Sequence, residues 1–302
     1  MTQKSILGSV AFVGIGTMGR EMAINLAKAG HHVTTYDTNP NLAQSLAAHG
    51  IESKNSIAAA VVSADIVVTM LPDTPDVEAV VYGGGGLLAN PPKGRLVVDM
   101  STIAPGVVRN IYRDLAKVGV AFLDAPVSGG PIGAKNATLS IMVGGDAEAY
   151  QTAGKFFSAM GTTITHVGES GSGQTVKLCN QLICGINIQA ICEALALGRA
   201  AGVDLAVLRS VLLGGSAASW MLDKLGPQMI AGDASAGFRI DLMLKDLRLV
   251  SQLAQEVSVP LPATGLVTSQ YIEARAHGEG NNGNQALFRV YDRMSAQTSH
   301  DA

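Results

Sequence analysis

Six residues near the start of the chain limit its fold more than any other feature. Gly14-Ile15-Gly16-Thr17-Met18-Gly19 follows an apolar run at residues 10–14 and opens a helical stretch at 18–29. In a strand, G-x-G-x-x-G, helix order, the first glycine permits a tight turn and the second lets backbone approach a pyrophosphate. The third lets the helix lie close on the strand. The N-terminus of that helix presents unpaired N–H groups to an anion. Asp37 ends the next β-branched run, 18 residues beyond Gly19, where a carboxylate can accept hydrogen bonds from an adenosine ribose. Strand, turn, helix and acid in register favour a dinucleotide site over a glycine turn beside an unrelated surface aspartate.

The alternation continues along the first half of the chain. Strands are expected at 10–14, 33–36, 66–70, 96–99, 121–124, 139–143 and 163–167, with helices at 18–29, 40–49, 75–81, 105–118 and 147–160. This is the pattern of a parallel sheet with crossover helices. After Gly168 strand patterns stop, and helices are expected at 174–201, 205–213, 220–231, 242–256, 262–277 and near 285–295. The expected fold class is therefore α/β: a Rossmann-type doubly wound domain at 1–168, an all-α domain at 169–296, and a tail at 297–302. The stretch 174–201 is apolar around most of its circumference and needs cover on several sides, so a homodimer or homotetramer is expected.

Composition excludes several classes. Charged residues are 15% and hydrophobic ones 47% of 302, too apolar a balance for a disordered chain. Twenty-one basic and 24 acidic residues give a net charge of -3, which supplies no phosphate-neutralising surface, so no nucleic-acid partner is expected. No uncharged apolar run reaches about eighteen residues, so no membrane span is expected. Cys179, Cys184 and Cys192 lack C-x-x-C spacing and are odd in number, which suits neither zinc nor a disulfide framework. A cytoplasmic protein without a metal is the expectation.

Two further stretches carry chemistry. Asp124-Ala-Pro-Val-Ser128-Gly129-Gly130-Pro131 follows a strand, and its paired glycines free successive N–H groups that, with the Ser128 hydroxyl, suit a small carboxylate substrate. An ordinary surface turn explains that stretch equally well. Gly171-Ser-Gly173 precedes the long helix and sets Lys177 in or near its first turn, where the helix dipole and partial burial favour a neutral amine able to move protons. Asn180, Gln181, Cys184 and Asn187 fall within about 80° of Lys177 on the helical wheel, a polar stripe on an apolar helix. Taken singly, Lys177 is a snorkelling side chain and Asn180 a satisfied core amide. Cys179 suits core packing better than nucleophilic chemistry.

Together these segments resemble the β-hydroxyacid dehydrogenase family from about residue 10 to 286. The resemblance is carried by the glycine fingerprint, Met70-Leu71-Pro72, Asp99-Met-Ser101-Thr102-Ile103, Asp124 to Gly130, Gly171-x-Gly-x-x-x-Lys177-x-x-Asn180 and Lys245-Asp246, in that order. It implies an NAD(P)-dependent oxidoreductase that moves hydride to or from C3 of a small 3-hydroxy or 3-oxo acid. It implies Lys177 as proton donor and acceptor, with Ser128, Gly129, Gly130, Asn180, Gln181 and Phe238 about the substrate. Gly14 to Gly19, Asp37, Met70, Leu71, Pro72, Ser101, Thr102 and Lys245 would flank the dinucleotide, and Asp246 would help to position the helix that carries Lys245.

Departures narrow the class. Phosphogluconate dehydrogenases read Lys-x-x-His-Asn where this chain has Lys177-Leu-Cys-Asn180-Gln181, and imine reductases of similar fold usually replace the lysine. Asn180-Gln181 and Phe238-Arg-Ile-Asp-Leu242 look more like tartronate semialdehyde (2-hydroxy-3-oxopropionate) reductases than 3-hydroxyisobutyrate dehydrogenases, which are the alternative. A non-catalytic dinucleotide-binding protein would not need Lys177 and Asn180 intact. Asp37-Thr-Asn39 stands where NADP-preferring members tend to have Asn-Arg-Thr, so NAD is expected over NADP.

Overall fold

Val10 to Val13 are all buried, which suits a strand covered on both faces, and here they form the centre of a sheet. The computed structural model describes residues 8–295; the tail expected at 297–302 lies outside them. In the first part of the chain β1 (Ser9–Val13), α1 (Thr17–Lys28), β2 (His32–Tyr36), α2 (Pro40–Gln44), β3 (Glu52–Ser53), α3 (Ile57–Val61), β4 (Ile66–Thr69) and α4 (Thr74–Tyr82) follow one another. Next come β5 (Leu96–Asp99), α5 (Pro105–Lys117), β6 (Ala121–Asp124), β7 (Val127–Ser128), α6 (Gly130–Asn136), β8 (Leu139–Gly144), α7 (Ala147–Phe157) and β9 (Gly161–Gly168).

The sheet runs β3-β2-β1-β4-β5-β6-β8-β7, with β9 on β8. Strand order reverses between β1 and β4, the place where doubly wound sheets leave a crevice at their carboxyl ends. Period-two side chains feed both layers: Phe12 packs with Met22, Val33 and Phe156 on one face, while Ala11 and Val13 pack with Val67, Ile111 and Phe122 on the other. The expected parallel pattern is departed from at one edge, where β8 runs antiparallel to β6 and β7. Residues 129–138 between β7 and β8 are too few for the crossover of a dozen or more that a parallel return requires.

The chain divides into compact units at 1–177 and 178–302, so that the first turns of the long helix go with the sheet. The reason is α8 (Ser172–Ala200), whose first residues are anchored to the sheet of the first unit before the helix continues. The second unit adds α9 (Leu205–Leu213), α10 (Trp220–Lys224), α11 (Gly226–Ala231), α12 (Ile240–Glu256), α13 (Pro262–Ala276) and α14 (Phe288–Ser295). The single helix expected at 220–231 is broken in two, since Pro227 in the first turn of α11 has no N–H to continue α10. By length and composition α8 could cross a membrane. Its Ile188, Ile191, Cys192 and Leu195 instead pack with Met243, Leu247, Tyr271 and Phe288 in the core of the helical unit. Ile183 and Leu197 of the same helix stay 56% and 73% exposed.

Candidate active site

The glycine loop is built as its spacing demands. Gly14 has φ +94°, and a Cβ there would lie 2.4 Å from the Met70 carbonyl oxygen. A Cβ on Gly19 would lie 2.0 Å from the carbonyl oxygen of Gly14, so only glycine lets α1 approach its strand. Gly16 meets nothing within 4 Å. It is the N-cap of α1, with no side-chain cap and no acidic residue in the first turn, which leaves the helix-start N–H groups for an anion. The cradle fits a dinucleotide pyrophosphate. Thr17 is exposed, Met18 half-buried, and Ile15 fully buried beneath the loop. Asp37, just past β2, accepts the Ile15 N–H at 2.7 Å through Oδ2 and the Asn39 N–H at 2.8 Å through Oδ1. It therefore ties the loop to the end of β2, while a carboxylate keeps lone pairs for ribose hydroxyls.

The loops after β4 and β5 are joined side by side. Ser101 accepts the Leu71 N–H at 2.8 Å and donates its hydroxyl to Asp99 Oδ1 at 2.6 Å, where Thr69 also donates at 2.7 Å. Ser101 is fully buried, so it shapes the Met70-Leu71-Pro72 edge from behind; Met70, Leu71 and Thr102 are half-buried and Pro72 exposed. Gln174, which the sequence reading passed over, clips the β5 loop from α8. Its Nε2 donates to the Ser101 carbonyl at 2.8 Å and its Oε1 accepts the Ile103 N–H at 3.1 Å. An amide inside the Gly-x-Gly-x-x-x-Lys motif was the available signal.

Asp124 performs the other anchoring. Its carboxylate, buried at the end of β6, accepts the N–H groups of Gly171 and Gln174, both at 2.8 Å, and so caps α8. Burial pushes its carboxyl up to about 6, the nearby Asp99 charge adds to this, and the backbone donors oppose it. Gly171 has φ +91°, and a Cβ on Gly173 would lie 2.5 Å from the Met142 carbonyl oxygen. The Gly-x-Gly pair thus lets the helix start touch the strand ends. The cap starts α8 at Ser172, so Lys177 is its sixth residue rather than part of its first turn. The helix dipole acts only weakly there, since its field is confined to the first turn. Lys177 is nevertheless deeply buried, 6% exposed, one turn beyond Gln174. Ser128 is half-buried at the end of β7, and Gly129 and Gly130 have φ +127° and +60°.

Further along α8 the amides form a series. Asn180 Nδ2 donates to Gln181 Oε1 at 2.8 Å, and Gln181 Nε2 donates to Asp246 Oδ2. Lys245 lies 2.8 Å from Asp246 Oδ1. Phe238, just before α12, packs partly buried against the helical core. Among the described residues no cluster of three or more His, Cys, Asp or Glu could hold a metal.

Comparison with known proteins identifies these parts. The family model described as the NAD binding domain of 6-phosphogluconate dehydrogenase matches residues 9–168, and that for the NAD-binding of NADP-dependent 3-hydroxyisobutyrate dehydrogenase matches 171–291. The chain belongs to the β-hydroxyacid dehydrogenase family. It is 40% identical over 288 residues to 2-hydroxy-3-oxopropionate reductase of Escherichia coli (strain K12), covering 95% of this chain and 98% of that protein. It is also 40% identical over 295 residues to 3-hydroxyisobutyrate dehydrogenase of Pseudomonas aeruginosa, covering 94% and 99%. A solved Mycobacterium tuberculosis 3-hydroxyisobutyrate dehydrogenase with L-serine gives a TM-score of 0.86 at 32% identity, covering 94% of this chain and 99% of that one. This β-hydroxyacid dehydrogenase is thus an NAD(P)-dependent enzyme acting on a hydroxy acid.

Proposed function

We propose that this enzyme interconverts 2-hydroxy-3-oxopropionate and glycerate, with NAD as its preferred carrier. The observation that carries the proposal is Lys177, 6% exposed on a helix whose start is fixed by Asp124 and Gly173. When bound, the nicotinamide supplies or takes the hydride at C3. In reduction Lys177 donates a proton to the oxygen on C3 as negative charge develops there; in oxidation its neutral amine takes the hydroxyl proton. Ser128, Gly129 and Gly130 hold the substrate carboxylate through the hydroxyl and successive N–H groups. Asn180, one helical turn beyond Lys177, orients the substrate.

Asn180-Gln181 and the stretch around Phe238 favour the 2-hydroxy-3-oxo acid, and the Escherichia coli relative supports it. The equal identity to a 3-hydroxyisobutyrate dehydrogenase supports that substrate as the second reading. The proposal includes a cytoplasmic homodimer or homotetramer, supported by the exposed Ile183 and Leu197 on α8. A panel of glycerate, 3-hydroxyisobutyrate and L-serine, followed by nicotinamide absorbance with NAD and NADP, tests it. Glycerate should give the highest kcat/KM; a higher value for 3-hydroxyisobutyrate would replace the first reading by the second.

A further inference from the structure

The two ends of the Asn180 amide are chemically opposite, since its NH2 donates and its carbonyl oxygen accepts. Which end faces a ligand decides what that ligand must offer. The residues behind Asn180 remove the choice. Asp246 is 1% exposed, and the Lys245 ammonium 2.8 Å from its Oδ1 pairs it as a carboxylate, which only accepts. Gln181, 4% exposed, must therefore turn its NH2 toward Asp246, and does so through Nε2. Its Oε1 is then left toward Asn180, whose Nδ2 donates to it at 2.8 Å. The same Nδ2 also reaches Cys184 Sγ at 3.5 Å. Reversing Asn180 would set its carbonyl oxygen against Gln181 Oε1, and reversing Gln181 would set NH2 against NH2 and a carbonyl oxygen against the Asp246 carboxylate, mismatches that a buried network resists. Asn180 Oδ1 is consequently the end turned away from the series.

We propose that Lys245, Asp246 and Gln181 fix Asn180 as a hydrogen-bond acceptor, so that the enzyme selects acids whose C2 carries a donor, a hydroxyl or an ammonium, over those whose C2 carries a methyl. This selection rests on the function proposed above, in which Asn180 faces the substrate. A C2 hydroxyl or ammonium donates to Oδ1, whereas a methyl group covers that oxygen without satisfying it. Gln181, Asp246 and Lys245 act through Asn180 and are positioning residues.

The test compares kcat/KM for glycerate, L-serine and 3-hydroxyisobutyrate in wild type, Gln181→Met and Asp246→Asn, each variant first checked by thermal unfolding. Gln181→Met removes the group that orients Asn180, and an amide at position 246 satisfies Gln181 either way round. Wild type should prefer glycerate and L-serine, and the glycerate to 3-hydroxyisobutyrate ratio should fall about tenfold in both variants. A general loosening of the site lowers all substrates together and leaves the ratio unchanged, which would overturn the proposal. So would a wild-type preference for the methyl acid. Should Asp246→Asn not fold, Gln181→Met carries the comparison alone. If none of the three acids is oxidised, the proposed function fails, and calorimetric Kd values for the same acids decide the selection separately.

Discussion

Asp124→Asn should abolish a pH dependence of stability that the wild-type protein carries. The Asp124 carboxyl is fully buried, and burial, with the Asp99 charge adding to it, raises it from 3.8 to about 6. Two units of difference between folded and unfolded chain correspond to about 3 kcal/mol. The folded value is the higher one, so the folded chain holds this proton more tightly. The stabilisation is fully present below 3.8 and is lost as pH rises through about 6. Between about pH 4.5 and 7.5, the wild-type unfolding free energy should fall by about 2 kcal/mol relative to the variant. The variant also turns an NH2 toward the Gly171 or Gln174 N–H, a penalty of about 1–3 kcal/mol that shifts the curve without changing its slope. Urea unfolding followed by circular dichroism at intervals across that range gives both curves, and subtraction removes the groups they share. A flat difference, or one that rises with pH, would refute the reasoning, because the two backbone donors would then outweigh burial.

Lys177→Ala should lower kcat by about 10²- to 10⁴-fold with dinucleotide Kd nearly unchanged, and Lys177→Arg should not rescue it; near-normal turnover in the alanine variant would exclude Lys177 as the proton carrier. NAD should exceed NADP by about 5- to 150-fold in kcat/KM, about 1–3 kcal/mol, because Asp37 repels a 2′-phosphate. Thr38→Arg is the cleaner probe of that preference, since Asp37 also accepts the Ile15 and Asn39 N–H groups; kinetics with both cofactors should show its ratio moving toward NADP. Gly173→Ala should destabilise the protein by about 1–3 kcal/mol and reduce kcat, as its Cβ would meet the carbonyl oxygens of Met142 and Asp124; an unchanged melting temperature would count against the packing. Light scattering at micromolar concentration should give at least a dimer, and Leu197→Glu on the exposed side of α8 should shift the mass toward monomer.

Where sequence reasoning succeeded, the cause was local. Gly14 and Gly19 announce themselves because a single missing Cβ decides whether two backbones can meet, and that requirement is visible in residue type and spacing. The strands at 96–99 and 121–124 and the helix at 205–213 came out as expected, each being a short apolar run between clear breaks. What escaped depends on partners distant in sequence. The bonds that the Ser101 hydroxyl makes to Asp99 and the Leu71 N–H cannot be read from its place in the motif. Gln174 and Asp124 are separated by 50 residues, and no periodicity signals that one caps the helix bearing the other. Gln181 and Asp246 are 65 residues apart, so the polarity of Asn180 could not be read from the stripe on the helical wheel. The reversal of β8 was missed because strand patterns carry no direction.

The anchoring of α8 also bears on how the nucleotide-binding half could be isolated. A fragment ending at residue 168 would keep every strand of the sheet and would look complete by secondary structure. It would nevertheless leave the buried Asp124 carboxylate without the Gly171 and Gln174 donors, and the Ser101 carbonyl and Ile103 N–H without the Gln174 amide. Four broken hydrogen bonds would then loosen the loop that backs Met70 to Pro72. Truncation should therefore be made beyond Lys177, where the chain itself changes from one compact unit to the next.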